Sequence, residues 1–290
     1  MIREPALQLR PYSRRDHARV ERLLKRSSRI HTHLDWEEPK YWLRRSPAVL
    51  AFRGRALIGL LAAAPDPPDV AWVRLAVLAD GLGTADKNLV LDELWGVVQA
   101  ELSQLQVARV AALTFDAWIE PVLANWGFAH SHQVMVLSRS FYERPQMPVS
   151  PATIRPARDI DLHAIVRTDN AAFDPPWALS ERTLHGALVK ASYASVAELN
   201  GTIVGYQITT GGRDTAHLAR LAVLPALQGQ RIGRALVADQ IGYYEQMGTS
   251  AVGVNTQDNN TASLALYAAL GFEHTGESYP VWQLHLNLGS

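Results

Sequence analysis

The run Arg74-Leu75-Ala76-Val77-Leu78 returns 146 residues later as Arg220-Leu221-Ala222-Val223-Leu224. Gly127-Phe128-Ala129-His130 is matched 144 residues on by Gly271-Phe272-Glu273-His274. Arg10-Pro11 is matched by Arg155-Pro156, and Ala51 and Gly59 by Ala197 and Gly205. Matches in the same order at a nearly constant offset point to duplication. A period this long means two copies of a domain, since solenoid units are far shorter. Between the copies, Pro145-Gln146-Met147-Pro148-Val149-Ser150-Pro151 has three prolines in seven residues. Such a stretch continues neither a helix nor a central strand and reads as a linker. The expected organisation is therefore a first domain over 1–144, a linker over 145–151 and a second domain over 152–290.

Composition limits the function classes. The 290 residues are 48% apolar and 19% charged, a globular balance rather than a disordered one. No run approaches the roughly 20 apolar residues of a membrane span, and Met1 to Pro5 lacks the apolar core of a signal peptide. The chain has no cysteine, which removes disulfides, thiolate metal sites and a cysteine nucleophile. A cytoplasmic protein without a metal or a membrane is expected. Net charge is zero, so general nucleic-acid binding is not indicated. Arg15, Arg19, Arg22, Arg26 and Arg29 have the spacing of one helical face. That stripe reads as a solvated face, with docking to an acidic partner or RNA as the alternative.

The second copy has a mixed α/β pattern. Residues 158–170 read as a helix. Residues 195–199 and 203–209 read as strands flanking the turn Asn200-Gly201. A strand over 216–224 leads to a helix over 230–247. A strand over 251–255, a helix over 261–270 and a strand over 282–286 follow. The expected fold is a mixed, largely antiparallel sheet flanked by helices, built twice.

Gln228-Gly229-Gln230-Arg231-Ile232-Gly233-Arg234-Ala235 lies between a strand and a helix start. Glycines there let backbone amides approach a ligand, and the helix N-terminus supplies free donors and partial positive charge. The segment suits a pyrophosphate, with Arg231 and Arg234 as reinforcement. Asn260 and Tyr267 lie two helical turns apart on one face. By themselves they read first as a helix cap and a core aromatic.

Taken together, Leu221-Ala222-Val223 on a strand, the Gln-x-x-Gly-x-Gly/Ala-type loop and Asn-x₆-Tyr-x₃-Gly-Phe resemble the GNAT superfamily of acetyl-CoA-dependent N-acetyltransferases. They span about 55 residues of the second copy. One position departs: Arg231 stands where the family's loop carries its central glycine. The resemblance implies that Leu221, Ala222 and Val223 present backbone groups to the pantetheine arm and the thioester oxygen. It implies that residues 228–235 and Asn260 belong to the cofactor site. It also implies that Tyr267 supports the departing CoA thiolate. A phenol near ~10 keeps its proton when a thiol near ~8.5 has lost its own.

An alkyl amine near ~10.4 must lose a proton before it attacks. His217 lies on the thioester-presenting strand, six residues before Val223, and alternation puts it on the side of Ala219, Leu221 and Val223. A similar Ala-His-Leu run precedes Leu-Ala-Val in aralkylamine acetyltransferases. His217 is thus a candidate base, titrating near ~6–7.5. Glu198 on the hairpin is the second candidate, and a water chain the third. Phe173-Asp174-Pro175-Pro176-Trp177 resembles the acceptor loop of ribosomal-protein alanine N-acetyltransferases, which makes Phe173 and Trp177 candidate substrate contacts. Those enzymes carry a glutamate base on the strand before the Asn; here that position is Asn255, and an amide is no base.

In the first copy the loop corresponds to residues 82–89, with Asp86 and Lys87 at the helix start. Asn260 corresponds to Asp116 and Tyr267 to Leu123. The expectation is a GNAT-like fold without acetyl-CoA chemistry. A worn half beside an active one also resembles mycothiol synthases. The expected activity is acetyl transfer from acetyl-CoA to a primary amine, on a small molecule or a peptide N-terminus. A non-catalytic acyl-CoA sensor or scaffold is the alternative, and a homodimer is left open.

Overall fold

Arg10 and Arg155, the arginines of the repeated Arg-Pro pairs, perform the same task in the two copies. Arg10 donates to Asp16 Oδ2 at 2.7 Å, and Arg155 donates to Asp161 Oδ2 at 2.8 Å. The same carboxylates accept the backbone amides of Ser13 and Arg158, three residues before them. Each Asp thereby ties a first strand to the turn that opens the first helix. Its arginine partner holds each carboxyl below the usual range.

The computed structural model describes residues 5–140 and 148–287. Part of the expected linker, 145–147, lies outside the described residues; 148–151 forms neither helix nor strand. The chain divides into two units, Met1–Ser131 with Pro280–Ser290, and His132–Tyr279. The boundaries thus differ from the expected 1–144 and 152–290. The last residues of each sequence copy are grouped with the other unit.

The first unit runs β1 (Leu7–Pro11), α1 (His17–Arg26), β2 (Arg29–Thr32), α2 (Pro39–Trp42), β3 (Ala48–Arg53), β4 (Ala56–Ala62), β5 (Val70–Trp72), β6 (Leu75–Leu78), α3 (Thr84–Gln104), β7 (Arg109–Leu113) and α4 (Glu120–Asn125). Strands β1, β3, β4, β6 and β2 form an antiparallel sheet in that order. β5 runs parallel to β7, which pairs antiparallel with residues Val281–His285. Strand β8 (Ala129–Ser140) contributes its residues from His132 onward to the second unit.

The second unit continues with β9 (Thr153–Pro156), α5 (Leu162–Ala172), α6 (Glu181–Lys190), β10 (Tyr193–Leu199), β11 (Thr202–Gly211), β12 (Thr215–Val223), α7 (Ile232–Gln246), β13 (Ala251–Gln257), α8 (Thr261–Ala268) and β14 (Glu273–His285). Strands β9 to β12 are antiparallel neighbours, β12 and β13 are parallel, and β13 pairs antiparallel with β8.

The units share details that no generic α/β fold would share. A register shift falls between Ala51 and Phe52 and, 146 residues on, between Ala197 and Glu198. Gly59 is needed because a Cβ there would sit 2.7 Å from Val90 Cγ1 of α3; at Gly205 it would sit 3.2 Å from Leu236 Cδ1 of α7. In each unit the long helix lies against the sheet at this point, and glycine permits the approach.

Three sequence expectations shift. Arg29 is on β2, not on the helix of the arginine stripe; Arg15, Arg19, Arg22 and Arg26 are exposed. The helix expected from 230 begins at Ile232, because Gly229 and Arg231 both hold left-handed φ. The last strand starts at Glu273 rather than 282, because its exposed first half lacks the apolar alternation that marks a strand.

Candidate active site

Parallel pairing of β12 with β13 runs from Thr215 opposite Ala251 to Leu218 opposite Val254, and ends there. β12 continues to Val223 against β11, while β13 continues to Gln257 against β8. The two strands therefore fork. Beyond the fork, the edge of Ala219–Val223 turned away from β11 has no strand partner among the described residues. Gln228 takes up the Val223 carbonyl, and the other backbone donors and acceptors held open in this way are available to water or a ligand.

A bulge accompanies the fork. Arg220 faces Ile208, but Leu218 faces Thr209, so Ala219 is the extra residue. An added residue reverses the alternation of side chains. Ala216, Leu218, Val252 and Val254 pack with Val237, Ile241 and Tyr244 of α7. Leu221 and Val223 also pack toward α7. His217 therefore lies on the opposite face, with Arg220 and Ala222. This corrects the expectation that it shares a side with Ala219, Leu221 and Val223; simple alternation does not survive a bulge.

Tyr267 is 4% exposed and lies in the same apolar cluster as Leu218 and Val254, the last paired residues before the fork. Its ring is tilted against Phe272 at 5.5 Å. Burial pushes its phenol well above the ordinary value, so the hydroxyl stays protonated at neutral pH.

The loop 228–235 follows β12. Gln228 Nε2 donates to the Val223 carbonyl at 3.1 Å and ties the loop to the strand end. Gly229 has φ 76° and Arg231 has φ 65°. Arg231, the residue that departs from the family pattern, thus adopts the left-handed conformation that glycine takes freely. It caps α7, and the loop closes despite the substitution. The first amides of α7 have no intrahelical acceptor. Arg234 Nε is buried without a partner, and Arg231 is exposed. Free amides, an orphaned guanidinium nitrogen and a helix N-terminus fit a pyrophosphate. Asn260 caps α8, its amide oxygen accepting the Ser263 amide at 3.1 Å.

On the opposite face, His217 lies against Gly253, where a Cβ would sit 3.3 Å from its Nδ1. Burial lowers its pKa below the ordinary 6.5. Asn255 is two residues along β13, and its amide oxygen is buried without a partner. Glu198 is elsewhere: it accepts from Arg155 Nε at 2.8 Å on β10, a strand separated from β12 by β11. Phe173 lies under the Arg220 guanidinium at 3.6 Å. Trp177 has its ring 5.7 Å from that of His132 on β8. Sequence reasoning missed Arg220, Asp169 and His132. The charge inside the repeated apolar run was the available signal for Arg220.

The first unit holds different groups at the matching places. Asp86 stands in the first turn of α3 and accepts from Arg53 at 2.9 Å. Leu123 is fully buried in the core. Asp116 is exposed, and α4 starts beyond it with Ile119 as its cap.

The family model described as "Acetyltransferase (GNAT) family" matches residues 162–272. The chain is 32% identical over 120 residues to the [ribosomal protein bS18]-alanine N-acetyltransferase of Escherichia coli K12, covering 41% of this chain and 80% of that one. It is 34% identical to the phosphinothricin N-acetyltransferase of Alcaligenes faecalis, covering 43% and 71%. Among solved structures, a tandem GNAT protein from the clavulanic acid biosynthesis pathway matches with a TM-score of 0.65 at 15% identity, covering 98% of this chain and all of that one. A GCN5-related N-acetyltransferase from Sphaerobacter thermophilus matches at 0.62 and 16%, covering 98% and 97%. The architecture is that of tandem GNAT domains.

The strained φ at Arg231 has a measurable consequence. Arg231→Gly removes the Cβ that makes this conformation costly and is expected to raise stability by up to about 1 kcal/mol. Arg231→Ala keeps the Cβ and gives no such gain. Urea midpoints of the two variants check this.

Proposed function

The chain belongs to the GNAT acetyltransferase family, and on that premise we propose that its second unit moves the acetyl group of acetyl-CoA to a primary amine, on a small molecule or at a peptide N-terminus. The observation that carries this reading is the fork between β12 and β13, with Tyr267 in the apolar cluster of Leu218 and Val254 and the α7 N-terminus following the loop after β12.

Each group has a role set by its position. Loop 228–235 binds the pyrophosphate through the first amides of α7, with Arg231 and Arg234 adding charge. The open edge of Ala219–Val223 orients the pantetheine arm and offers an N–H at the thioester oxygen, where negative charge develops. Bound there, acetyl-CoA supplies an acetyl thioester. Tyr267 holds a proton at its hydroxyl for the departing sulfur. Its raised pKa makes full transfer costly, so hydrogen bonding is its main contribution.

The acceptor amine approaches from the face of His217, Asn255 and Trp177. His217 is neutral at pH 7, since burial disfavours its charged form, and it takes the amine proton. Glu198 is occupied by Arg155 and has no part in this path. The relatives' names carry unlike acceptors, a ribosomal-protein alanine and phosphinothricin. The reaction is thus a family property, and the acceptor is set by each protein's own loops. A panel of amines, N-terminal peptides and polyamines, read by CoA-thiol release, tests the reading; no release with any of them would overturn it.

The first unit, with Asp86 at its helix start, is proposed to bind no acetyl-CoA. Calorimetry should give one site per chain. Gly233→Asp places a carboxylate at the pyrophosphate position and should abolish that site, whereas Lys87→Asp should leave it intact.

Tyr267→Phe removes one hydroxyl and keeps the ring. It is expected to lower kcat by roughly 10- to 1000-fold with little change in acetyl-CoA affinity. Steady-state kinetics beside calorimetry measure both; unchanged turnover would reduce Tyr267 to packing.

Because the base must be neutral and burial lowers its pKa, kcat/KM should rise with pH through a midpoint below 6.5 and then level. His217→Ala should remove that limb, and its deficit should shrink toward pH 9, where more amine is already free. A limb that survives in His217→Ala removes the histidine from the proton path.

A further inference from the structure

Arg220 is the charged residue of the repeated run, and the proposed chemistry makes no use of it. Its side chain is 10% exposed, and that of Asp169 is 0% exposed. Arg220 Nε donates to Asp169 Oδ1 at 2.8 Å, and one terminal nitrogen donates to Oδ2 at 2.9 Å and to the Trp177 carbonyl at 2.8 Å. The guanidinium also covers the ring of Phe173. Asp169 accepts the Tyr206 hydroxyl and, at 3.3 Å, the Leu179 amide. One ion pair therefore holds Phe173, Trp177 and Leu179, the beginning, middle and end of the segment that joins α5 to α6. The arginine itself stands on β12, two residues past Leu218 and within the segment whose outer edge is open.

We propose that Arg220 is a positioning residue that fixes the acceptor loop, residues 173–179, to the strand that presents the thioester. It touches no reacting atom. Its planar fork serves two carboxylate oxygens and a carbonyl together, a geometry an ammonium does not reproduce. The first unit supplies the comparison. Arg74 occupies the equivalent position, pairs with Asp35, donates to the Asp66 carbonyl at 3.4 Å and lies over the Trp42 ring at 3.9 Å. The arginine is kept where the groups proposed for chemistry are lost, which is the pattern of a residue that fixes loops rather than one that reacts.

The inference rests on the acetyl-transfer reading for its kinetic part only. Arg220→Lys keeps the charge and loses the fork; Tyr206→Phe loosens Asp169 by one hydrogen bond and is the milder variant. Hydrogen exchange of the full chain should show faster amides at Trp177 and Leu179 in both, larger in Arg220→Lys, while α7 and β13 keep their rates. Acetyl-CoA affinity by calorimetry should stay within about twofold. With 2-phenylethylamine, spermidine and the peptide Ala-Tyr-Phe amide as probes, acceptor KM should rise at least tenfold in Arg220→Lys, more than kcat falls. Arg74→Lys should move neither Trp177 nor Leu179 exchange nor acceptor KM. If wild type transfers to none of the probes, the acetyl-transfer reading loses support while the exchange rates still decide the role of Arg220. Exchange that rises evenly over the second unit, or not at all, overturns the proposal, as does a parallel loss of acetyl-CoA affinity.

Discussion

The parting of β12 from β13 after Leu218 and Val254 governs the second unit. A parallel pair that continued would satisfy every backbone group of Ala219–Val223 and leave nothing for a ligand. The bulge at Ala219 lets β12 keep its antiparallel bonds to β11 while leaving β13. It also decides which side chains face where: Leu221 and Val223 support α7, and His217 and Arg220 turn to the face of α5. A single extra residue thus puts Leu221 and Val223 on the α7 face while His217, Arg220 and Ala222 share the other.

Loop 228–235 shows that a tight turn before a helix does not need glycine at every left-handed position. A glycine-rich turn works because its residues reach φ values that side chains resist. Arg231 reaches the same φ with a side chain. The cost is of the order of 1 kcal/mol, and the return is a guanidinium exposed at the mouth of the α7 N-terminus. With Arg234 one turn on, two cations flank amides that already carry partial positive charge.

Much of this was legible in the sequence. The duplication was read from ordered matches at a nearly constant offset, and the register shifts at Ala51 and Ala197 make it concrete. Glycine spacing and the Asn-x₆-Tyr run located the loop, the α8 cap and the buried tyrosine. What escaped depends on contacts that span the chain. The facing of His217 needed the bulge at Ala219, which no local pattern announces. The engagement of Glu198 by Arg155 joins residues 43 positions apart. The Arg220–Asp169 pair joins residues 51 apart. Alternation and motif spacing report local geometry; side-chain partners are set by packing. The grouping of Pro280–Ser290 with the first unit was hidden for the same reason, because a strand's sequence does not name the strand it joins.

The two copies differ in how firmly packing holds each matched position. Arg74 and Arg220 are buried beside buried carboxylates. Removing one partner of such a pair strands a charge, at about 3–5 kcal/mol, so single substitutions are opposed whatever the domain does. Gly59 and Gly205 are held by steric contact with a helix in the same way. The groups assigned to chemistry have no such anchor. A tyrosine buried among apolar side chains gains by becoming Leu123, since no hydroxyl then has to be buried. An exposed helix start accepts Asp86, and its new carboxylate is stabilised both by the helix N-terminus and by Arg53. Stability alone therefore favours leucine over a buried tyrosine and tolerates a carboxylate at the helix start, while it holds the arginine and the close-packed glycine in place. The first unit has this composition; the second carries Tyr267 and loop 228–235, which stability does not require.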